Sequence, residues 1–309
     1  MKEIINISNL TKVYNSNKLC AVDDISFNVY ENEFFAFLGV NGAGKSTTIN
    51  ILCTLLEKSK GSIEVCGYNI EDDVDKVKEN IGVVFQNGLL DKELSVYDNL
   101  IFRGSLFGID KKELNERIDF LSKKLAFEKF LNREYGKLSG GQKRKADIAR
   151  ALLTNPKVLF LDEPTTGLDP QSRIDLWNVI NDVRKEFNTT IFLTTHYMEE
   201  VNSADRVAII DGGKILCIDT PENLKSKYSN DIVKLTTNEN NKKALEEKLK
   251  DQNVAYKYLV DTFIITLKDS MSLTDFIDDN KKYISSIEIK KGDMDSVFLN
   301  IVGKDCGNE

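Results

Sequence analysis

Histidine is almost absent from this chain, with His196 the only one. A metal centre built from clustered imidazoles is therefore not expected. The cysteines do not change that. Cys20, Cys53, Cys66, Cys217 and Cys306 are odd in number and no two have CxxC spacing. They read as reduced thiols used in packing, not as zinc ligands or a disulfide framework. With only 4 prolines and 18 glycines in 309 residues, long disordered linkers are not expected either. No apolar run approaches the roughly 18–20 residues that cross a bilayer. The start, Met1-Lys2-Glu3-Ile4-Ile5-Asn6, has no signal-peptide core, so a soluble, cytoplasmic protein is expected. Basic residues are the minority: 42 Lys and Arg against 49 Asp and Glu give a net charge of −7. Nonspecific nucleic-acid binding needs a basic surface, so no nucleic-acid partner is expected.

What is present is ample apolar material, 41% of residues, enough for one large domain or two unequal ones. Segments 4–10 and 21–29 pattern as strands. Residues 34–38 form a brief apolar run that ends in a glycine-rich loop, and 45–56 reads as a helix. Strands are expected at 61–67 and 81–85, the latter ending at Gln86. From 91 to 155 the pattern turns helical, with Leu114, Ile118, Leu121 and Leu125 at helical spacing and Ser95-x-x-Asp98 as a helix start. Strands return at 158–161 and 190–194, bracketing a helix over 171–185. Two more, 207–210 and 214–218, flank the hairpin signal Asp211-Gly212-Gly213. After Thr220-Pro221 the pattern restarts as β-α-β-β-α-β, with strands at 232–236, 254–260, 263–267 and 284–289 and helices at 242–249 and 273–278. That order fits a small α+β domain of ferredoxin-like type. The chain reads as α/β, with one domain over 1–222 and an accessory domain over 225–309.

Gly39-Val40-Asn41-Gly42-Ala43-Gly44-Lys45-Ser46 matches the phosphate-binding pattern GxxxxGK[ST], and Thr47 extends it. Glycines let backbone N–H groups wrap phosphates, Lys45 reaches the outer ones, and the Ser46 hydroxyl is a Mg²⁺ ligand. The strand–loop–helix context is the one this pattern requires. Downstream, Leu138-Ser139-Gly140-Gly141-Gln142 is a second glycine-rich turn opening a helix. Such a turn is an anion site, because free N–H groups and the positive dipole end point the same way. The bland alternative is an ordinary helix cap by Ser139. Between that helix and His196 an apolar strand ends in Asp162-Glu163, two acids that alone would be unremarkable.

Taken together and in this order, these motifs resemble the ATPase subunits of ATP-binding-cassette (ABC) transporters over about residues 1–222. The resemblance implies a RecA-like P-loop core with a β subdomain and a helical subdomain at about 91–155. It implies ATP and Mg²⁺, the metal held by Ser46, Asp162 and Gln86. Glu163 would polarise the attacking water, and His196 would contact the γ-phosphate. Pro164-Thr165-Thr166-Gly167-Leu168-Asp169 would meet a second ATPase subunit, and Ser139, Gly140, Gly141 and Gln142 would close over that subunit's nucleotide. Tyr14 is in register to stack on adenine, though a strand tyrosine is as often packing. The family more often has proline where this chain has Val40, a position whose role is backbone-only. Thr220-Pro221-Glu222-Asn223-Leu224 and Met294-Asp295-Ser296-Val297-Phe298-Leu299 resemble the ABC-2-type drug and antibiotic export branch. Separate permease subunits and a place on the inner face of the cell membrane follow from the resemblance.

Two other classes stay open. One is a soluble ABC ATPase acting on nucleic acid or the ribosome, although the paired cassettes, long coiled coil or zinc modules usual there are not visible. The other is a stand-alone P-loop kinase or GTPase, in which the second glycine-rich turn would have no use. Some residues carry plainer expectations. Lys143-Arg144-Lys145 reads as a solvated or interface face, and Trp177 as core beside Ile174 and Ile180. Val96, Leu100, Ile101, Leu106 and Phe107 read either as subdomain core or as a groove for a permease helix.

Overall fold

A computed structural model describes residues 2–14 and 18–305, the side chains of 304 and 305 excepted. Cys306 and residues 15–17 of the expected N-terminal loop lie outside the described residues. The chain divides into two compact units at the Ile218–Asp219 bond.

The first unit opens with two long strands, β1 (Glu3–Tyr14) and β2 (Leu19–Tyr30), then β3 (Phe34–Leu38) and helix α1 (Lys45–Leu52). β4 (Lys60–Val65), β5 (Tyr68–Asn69), α2 (Val74–Asn80) and β6 (Ile81–Val84) follow. The helical stretch holds α3 (Val96–Ser105), α4 (Lys111–Lys124) and α5 (Gly140–Leu152). The strand pattern resumes with β7 (Val158–Asp162), α6 (Pro170–Phe187), β8 (Thr190–Thr195), β9 (Arg206–Asp211) and β10 (Lys214–Asp219).

Two sheets result. The antiparallel one has the order β2-β1-β4-β5, and the main one β10-β9-β3-β8-β7-β6, parallel from β9 to β6. Every residue of β3, β7 and β8 is buried, as a parallel strand covered on both faces requires. Phe192 of β8 packs against Phe27, Phe35, Phe37 and Phe160, with ring centroids 5.5–6.2 Å apart. Those rings join the two sheets, and truncating one such phenylalanine typically costs about 3–5 kcal/mol.

Register decides where chemistry can sit. Leu38 pairs with Thr195, Asp162 with Thr194, and Val84 with Leu161. The carboxyl ends of β3, β8, β7 and β6 therefore lie level. The segments that leave them carry the Gly39 loop, His196, Glu163 and Gln86. A ligand site at that edge is what an open parallel sheet favours.

In the helical stretch α4 buries Leu114, Ile118 and Leu121, and Leu125 is buried at its end. Ser95 caps α3: its Oγ accepts from the Asp98 N–H at 3.0 Å and donates to Asp98 Oδ2 at 2.5 Å. Val96 and Leu100 are core, whereas Leu106 and Phe107 are exposed, so the expected apolar cluster is split between the two roles.

Three local expectations are corrected. Helix α1 stops at Leu52 instead of 56, because Thr54 adopts φ +60° and the N–H groups of Leu55 and Leu56 both turn to the Asn50 carbonyl. Trp177 is half-buried and stacks on Phe34 with centroids 5.8 Å apart; Ile174 is exposed, and the buried face of α6 is Leu176, Val179, Ile180 and Val183. Arg144 is buried, not solvated.

The second unit contains α7 (Pro221–Tyr228), β11 (Asp231–Thr236), α8 (Glu239–Asp251), β12 (Tyr256–Leu259), β13 (Thr262–Leu267), α9 (Thr274–Asn280), β14 (Ser286–Lys290) and α10 (Met294–Asp305). Its sheet runs β12-β13-β11-β14, antiparallel throughout, which is the strand order of a ferredoxin-like domain. Leu245 and Leu249 of α8 and Phe276 of α9 cover Val233, Leu235, Phe263 and Ile265. The break expected between 222 and 225 falls inside α7, which packs on α10. Thr220 caps α7 through Oγ1, and Pro221 occupies its first turn, a helix start legible in the residues. Among the described residues no helix is long and apolar enough to cross a membrane.

Candidate functional site

A cleft of about 580 Å³ opens at the level strand ends of the first unit. Tyr14, Asn41, Gly42, Gly44, Lys45, Ser46, Thr47, Gln86, Glu163 and His196 line it, residues drawn from segments far apart in sequence. The loop between β3 and α1 makes its floor. Gly39 has no room for a side chain, since a Cβ would lie 2.5 Å from the Ile210 carbonyl oxygen. Gly44 adopts φ +107°, a region L-residues avoid, and a Cβ there would meet the Ala21 carbonyl at 2.5 Å. Gly44 also stands at the N-cap of α1, where no side chain caps the helix. The first-turn N–H groups of α1 therefore have no side-chain competitor for an anion.

Lys45 supplies the cation. Its ammonium is buried, donates to the Gly39 and Val40 carbonyls at 2.9 and 3.1 Å, and lies 3.3 Å from Glu163 Oε1. His196 Nδ1 lies 3.1 Å from Glu163 Oε2, close but without the alignment of a hydrogen bond. Partial burial pushes the Glu163 carboxyl up, but His196 and Lys45 outweigh it and hold it below the usual range. The Glu163 backbone is itself unusual, with φ +44°. Its N–H donates to the Thr194 carbonyl at 3.0 Å, which ties the acid to the strand before His196.

Asp162 does not line the cleft. It is buried at the end of β7, where Thr194 Oγ1 donates to its Oδ1 at 2.5 Å. Burial pushes its pKa up, against the opposing pull of that hydroxyl. The donor set suits a hard divalent cation. Ser46 and Gln86 offer neutral oxygens and Asp162 a carboxylate. Among the described residues no cluster of three or more His, Cys, Asp or Glu forms a closed metal cage. Few protein oxygens and room for water are what Mg²⁺ tolerates and a structural zinc does not.

Tyr14 sits at the cleft mouth, half-buried, with Oη 3.4 Å from Thr47 Oγ1. It pairs across the hairpin with Leu19, which lines the cleft together with Ala21 and Thr166. Those three were not expected from the sequence. The signal for the first two was the strand register after Tyr14, which a single chain's patterning leaves unfixed. Glu200 is another residue the sequence concealed. It is buried and accepts hydroxyl hydrogen bonds from Thr165 and Thr195, one from each loop that carries Glu163 and His196.

Ser139, Gly140, Gly141 and Gln142 are not brought to this cleft. They start α5 with a full capping box: Ser139 Oγ accepts from the Gln142 N–H at 3.4 Å, and Gln142 Oε1 accepts from the Ser139 N–H at 3.1 Å. A Cβ on Gly141 would lie 2.9 Å from Ser172 Oγ, and one on Gly140 3.1 Å from Leu168, so the turn lies against the start of α6. Asp169 caps α6 by accepting from the Ser172 N–H at 3.0 Å and its hydroxyl at 2.6 Å. Val40 and Ala43 shape the P-loop backbone, and neither side chain lines the cleft.

Comparison with known proteins places this arrangement. The family model described as "ABC transporter" matches residues 22–166. The chain is 33% identical to the daunorubicin/doxorubicin resistance ATP-binding protein DrrA of Streptomyces peucetius, over 97% of this chain and 92% of that one. It is 42% identical to ABC transporter A family member 11 of Dictyostelium discoideum over 71% of this chain, which spans 26% of that longer protein. Among solved structures, cbiO1 from Clostridium perfringens, part of the ABC transporter complex cbiONQ, superposes with a TM-score of 0.68 and 28% identity over 81% of this chain and 96% of that one. A dimeric post-hydrolysis state of the ATP-binding cassette MJ0796, bound to ADP and Pi, gives 0.63 and 26% over 70% of this chain and 98% of that one. With its P-loop cleft and α/β core, the chain belongs to the ATP-binding subunits of ABC transporters and is an ATPase.

Proposed function

We propose that this subunit hydrolyses ATP to drive export by separate membrane-embedded permease subunits, working as a dimer with two ATP molecules held between the P-loop of one subunit and the turn at 139–142, the signature turn, of the other. The observation that carries the reading is the convergence of Lys45, Glu163 and His196 within 3.3 Å contacts at one end of a nucleotide-sized cleft. Tyr14 at the mouth would take the adenine, and the α1 N-terminus the phosphates. Ser46 and Gln86 would hold Mg²⁺ at the cleft, with Asp162 behind them acting through water, and the ion would supply positive charge to the phosphates.

Glu163 accepts the proton of the attacking water as the terminal P–O bond breaks and ADP leaves with the bonding pair. Lys45 tunes that step. With His196, it holds the carboxylate below its usual range. Drawn to a phosphate, it would remove its own share of that hold and leave the acid a somewhat stronger base. His196 stays beside Glu163 and can bridge to the γ-phosphate.

Ser139 and Gly140 are exposed at the start of α5 and lie away from this cleft, which supports their use on a partner's nucleotide. The exposed Leu89, Phe102, Leu106 and Phe107 follow Gln86 in sequence and offer an apolar contact for a permease helix. The subunit would then be held at the inner face of the membrane by that contact. The second unit is an accessory domain, since every ATP-site residue lies before it. The full-length relationship to a drug-resistance ATP-binding protein favours export.

Glu163→Gln tests the chemistry. It should retain ATP binding while steady-state turnover falls about 10²–10⁴-fold, and ATP should trap it as a dimer. Wild-type turnover by this variant would remove Glu163 from the mechanism.

A further inference from the structure

Gln86 leaves the end of β6 and the signature turn opens α5, and the sequence between them gives no reason to connect the two. The geometry points to Arg144 as the positioning residue that makes Gln86 and the signature turn one moving part, an inference that rests on the composite-site reading above.

Arg144 is only 5% exposed. Its Nη1 donates to the Phe85 carbonyl at 2.6 Å and its Nη2 to the Gln86 carbonyl at 3.0 Å. The planar guanidinium thus holds two consecutive carbonyls, the second belonging to the residue whose side chain lines the cleft. Less than two helical turns further along α5, Arg150 donates to the Val83 carbonyl. One helix therefore grips the carboxyl end of β6 at residues 83, 85 and 86.

Between the two arginines, Asp147 accepts from the Tyr135 hydroxyl at 3.0 Å. That hydroxyl closes the loop from the other side: a Cβ on Gly88 would lie 2.0 Å from it. The loop after Gln86 is held from both flanks and has no room to slide without α5. Arg144 lies about 6 Å along the helix axis from Gly140 at the rise of an α-helix. A shift of Gln86 on filling of the cleft would reach the capping box through this short rigid lever.

The alternative is that Arg144 is fold cement with no part in communication. Charge makes that a poor use of the position. A buried guanidinium is costly to desolvate, and although Asp147 on the same helix offsets part of its charge, its hydrogen bonds go to the two carbonyls of 85 and 86 and not to that carboxylate. Lysine could not replace it in kind, because a single ammonium cannot span two carbonyls in one plane.

The test uses the full chain carrying Arg144→Met or Arg144→Lys, each alone and with Glu163→Gln. With Arg144→Met, the ATP affinity of the single subunit should stay within about twofold, because Arg144 does not itself line the cleft and reaches only the main-chain carbonyl of Gln86. Turnover should fall roughly tenfold with KM nearly unchanged, and ATP-driven association in the Glu163→Gln background should weaken roughly tenfold, as the hydrogen bonds to the Phe85 and Gln86 carbonyls are both lost. Arg144→Lys should recover part of both losses. Amide exchange should rise together at 86–88 and 139–142. Should the methionine variant fail to fold, the lysine variant carries the same comparison with a smaller loss. Unchanged turnover and association, or a parallel loss of single-subunit ATP affinity, would overturn the inference. If the Glu163→Gln parent itself fails to associate with ATP, the composite-site reading falls and this inference with it; association of the parent with no change in the Arg144 variants refutes the inference alone.

Discussion

The first unit has two glycine-rich helix starts, and they are built differently. At α1 the N-cap is a glycine in a left-handed conformation, no side chain caps the helix, and a buried lysine follows at once. At α5 the N-cap is a serine and the capping box is complete. The helix beside it, α6, is capped by Asp169. The first start is open to an anion, with its own counter-charge in place. The second uses its capping box to satisfy the Ser139 and Gln142 N–H groups and keeps an acid nearby. A helix N-terminus is thus not one kind of site: what occupies the N-cap decides whether the donors wait for a ligand or are already used. In the proposed dimer the second start would meet a phosphate that a partner presents.

The largest effect should separate the two starts directly. Lys45→Ala should reduce the subunit's own ATP affinity by about 100-fold, as expected when a buried charged partner of the phosphates is lost. Ser139→Ala should leave that affinity within about twofold and instead weaken ATP-driven dimerisation about tenfold. Nucleotide titration of the monomer and sedimentation of the Glu163→Gln dimer read the two quantities. Equal losses of monomer affinity would erase the distinction. A smaller effect concerns the cleft mouth. Tyr14→Leu should lower ATP affinity about three- to tenfold if the ring stacks on the base, the range for an aromatic pair. No change in a fluorescent-nucleotide titration would leave Tyr14 as packing.

The smallest effect sharpens the acid side. Ser172 holds the Asp169 carboxyl below its ordinary value through its hydroxyl and N–H. A depressed folded pKa contributes stability above the unfolded carboxyl range, and that contribution is lost as pH falls through the folded value. Ser172→Ala should shift the acid-unfolding curve of the first unit slightly toward higher pH, measured by circular dichroism. An unmoved curve would mean that the Ser172 hydroxyl adds nothing to the Asp169 cap, whose backbone N–H bond the alanine keeps.

Much of this was legible in the residues. The strand–loop–helix setting of Gly39–Ser46, the Asp162 strand and the alternation after 231 all express periodicity or turn chemistry that acts locally. What stayed hidden depends on partners distant in sequence. Lys143-Arg144-Lys145 looks like a solvated run because local composition cannot show that the carbonyls of Phe85 and Gln86 lie within reach. Glu200 looks like one more acid in a polar stretch until Thr165 and Thr195 are brought to it. Trp177 lies at helical spacing from core positions, but rotation about the α6 axis leaves it on the rim. Helix α1 was read too long because Thr54 reverses the chain in a conformation that β-branched residues seldom adopt.

Glu163 carries a consequence of another kind. It is not a glycine, yet its φ is +44°. Holding an ordinary residue there costs about 1–3 kcal/mol, a cost tolerated where the surroundings over-determine the conformation. Glycine at this position would keep the turn, relieve the backbone and also remove a carboxylate from between a lysine and a histidine. Selection for stability alone would therefore drift away from glutamate at 163. Glu163→Gly should raise the melting temperature while abolishing turnover, a trade that one carboxylate facing the cleft would explain.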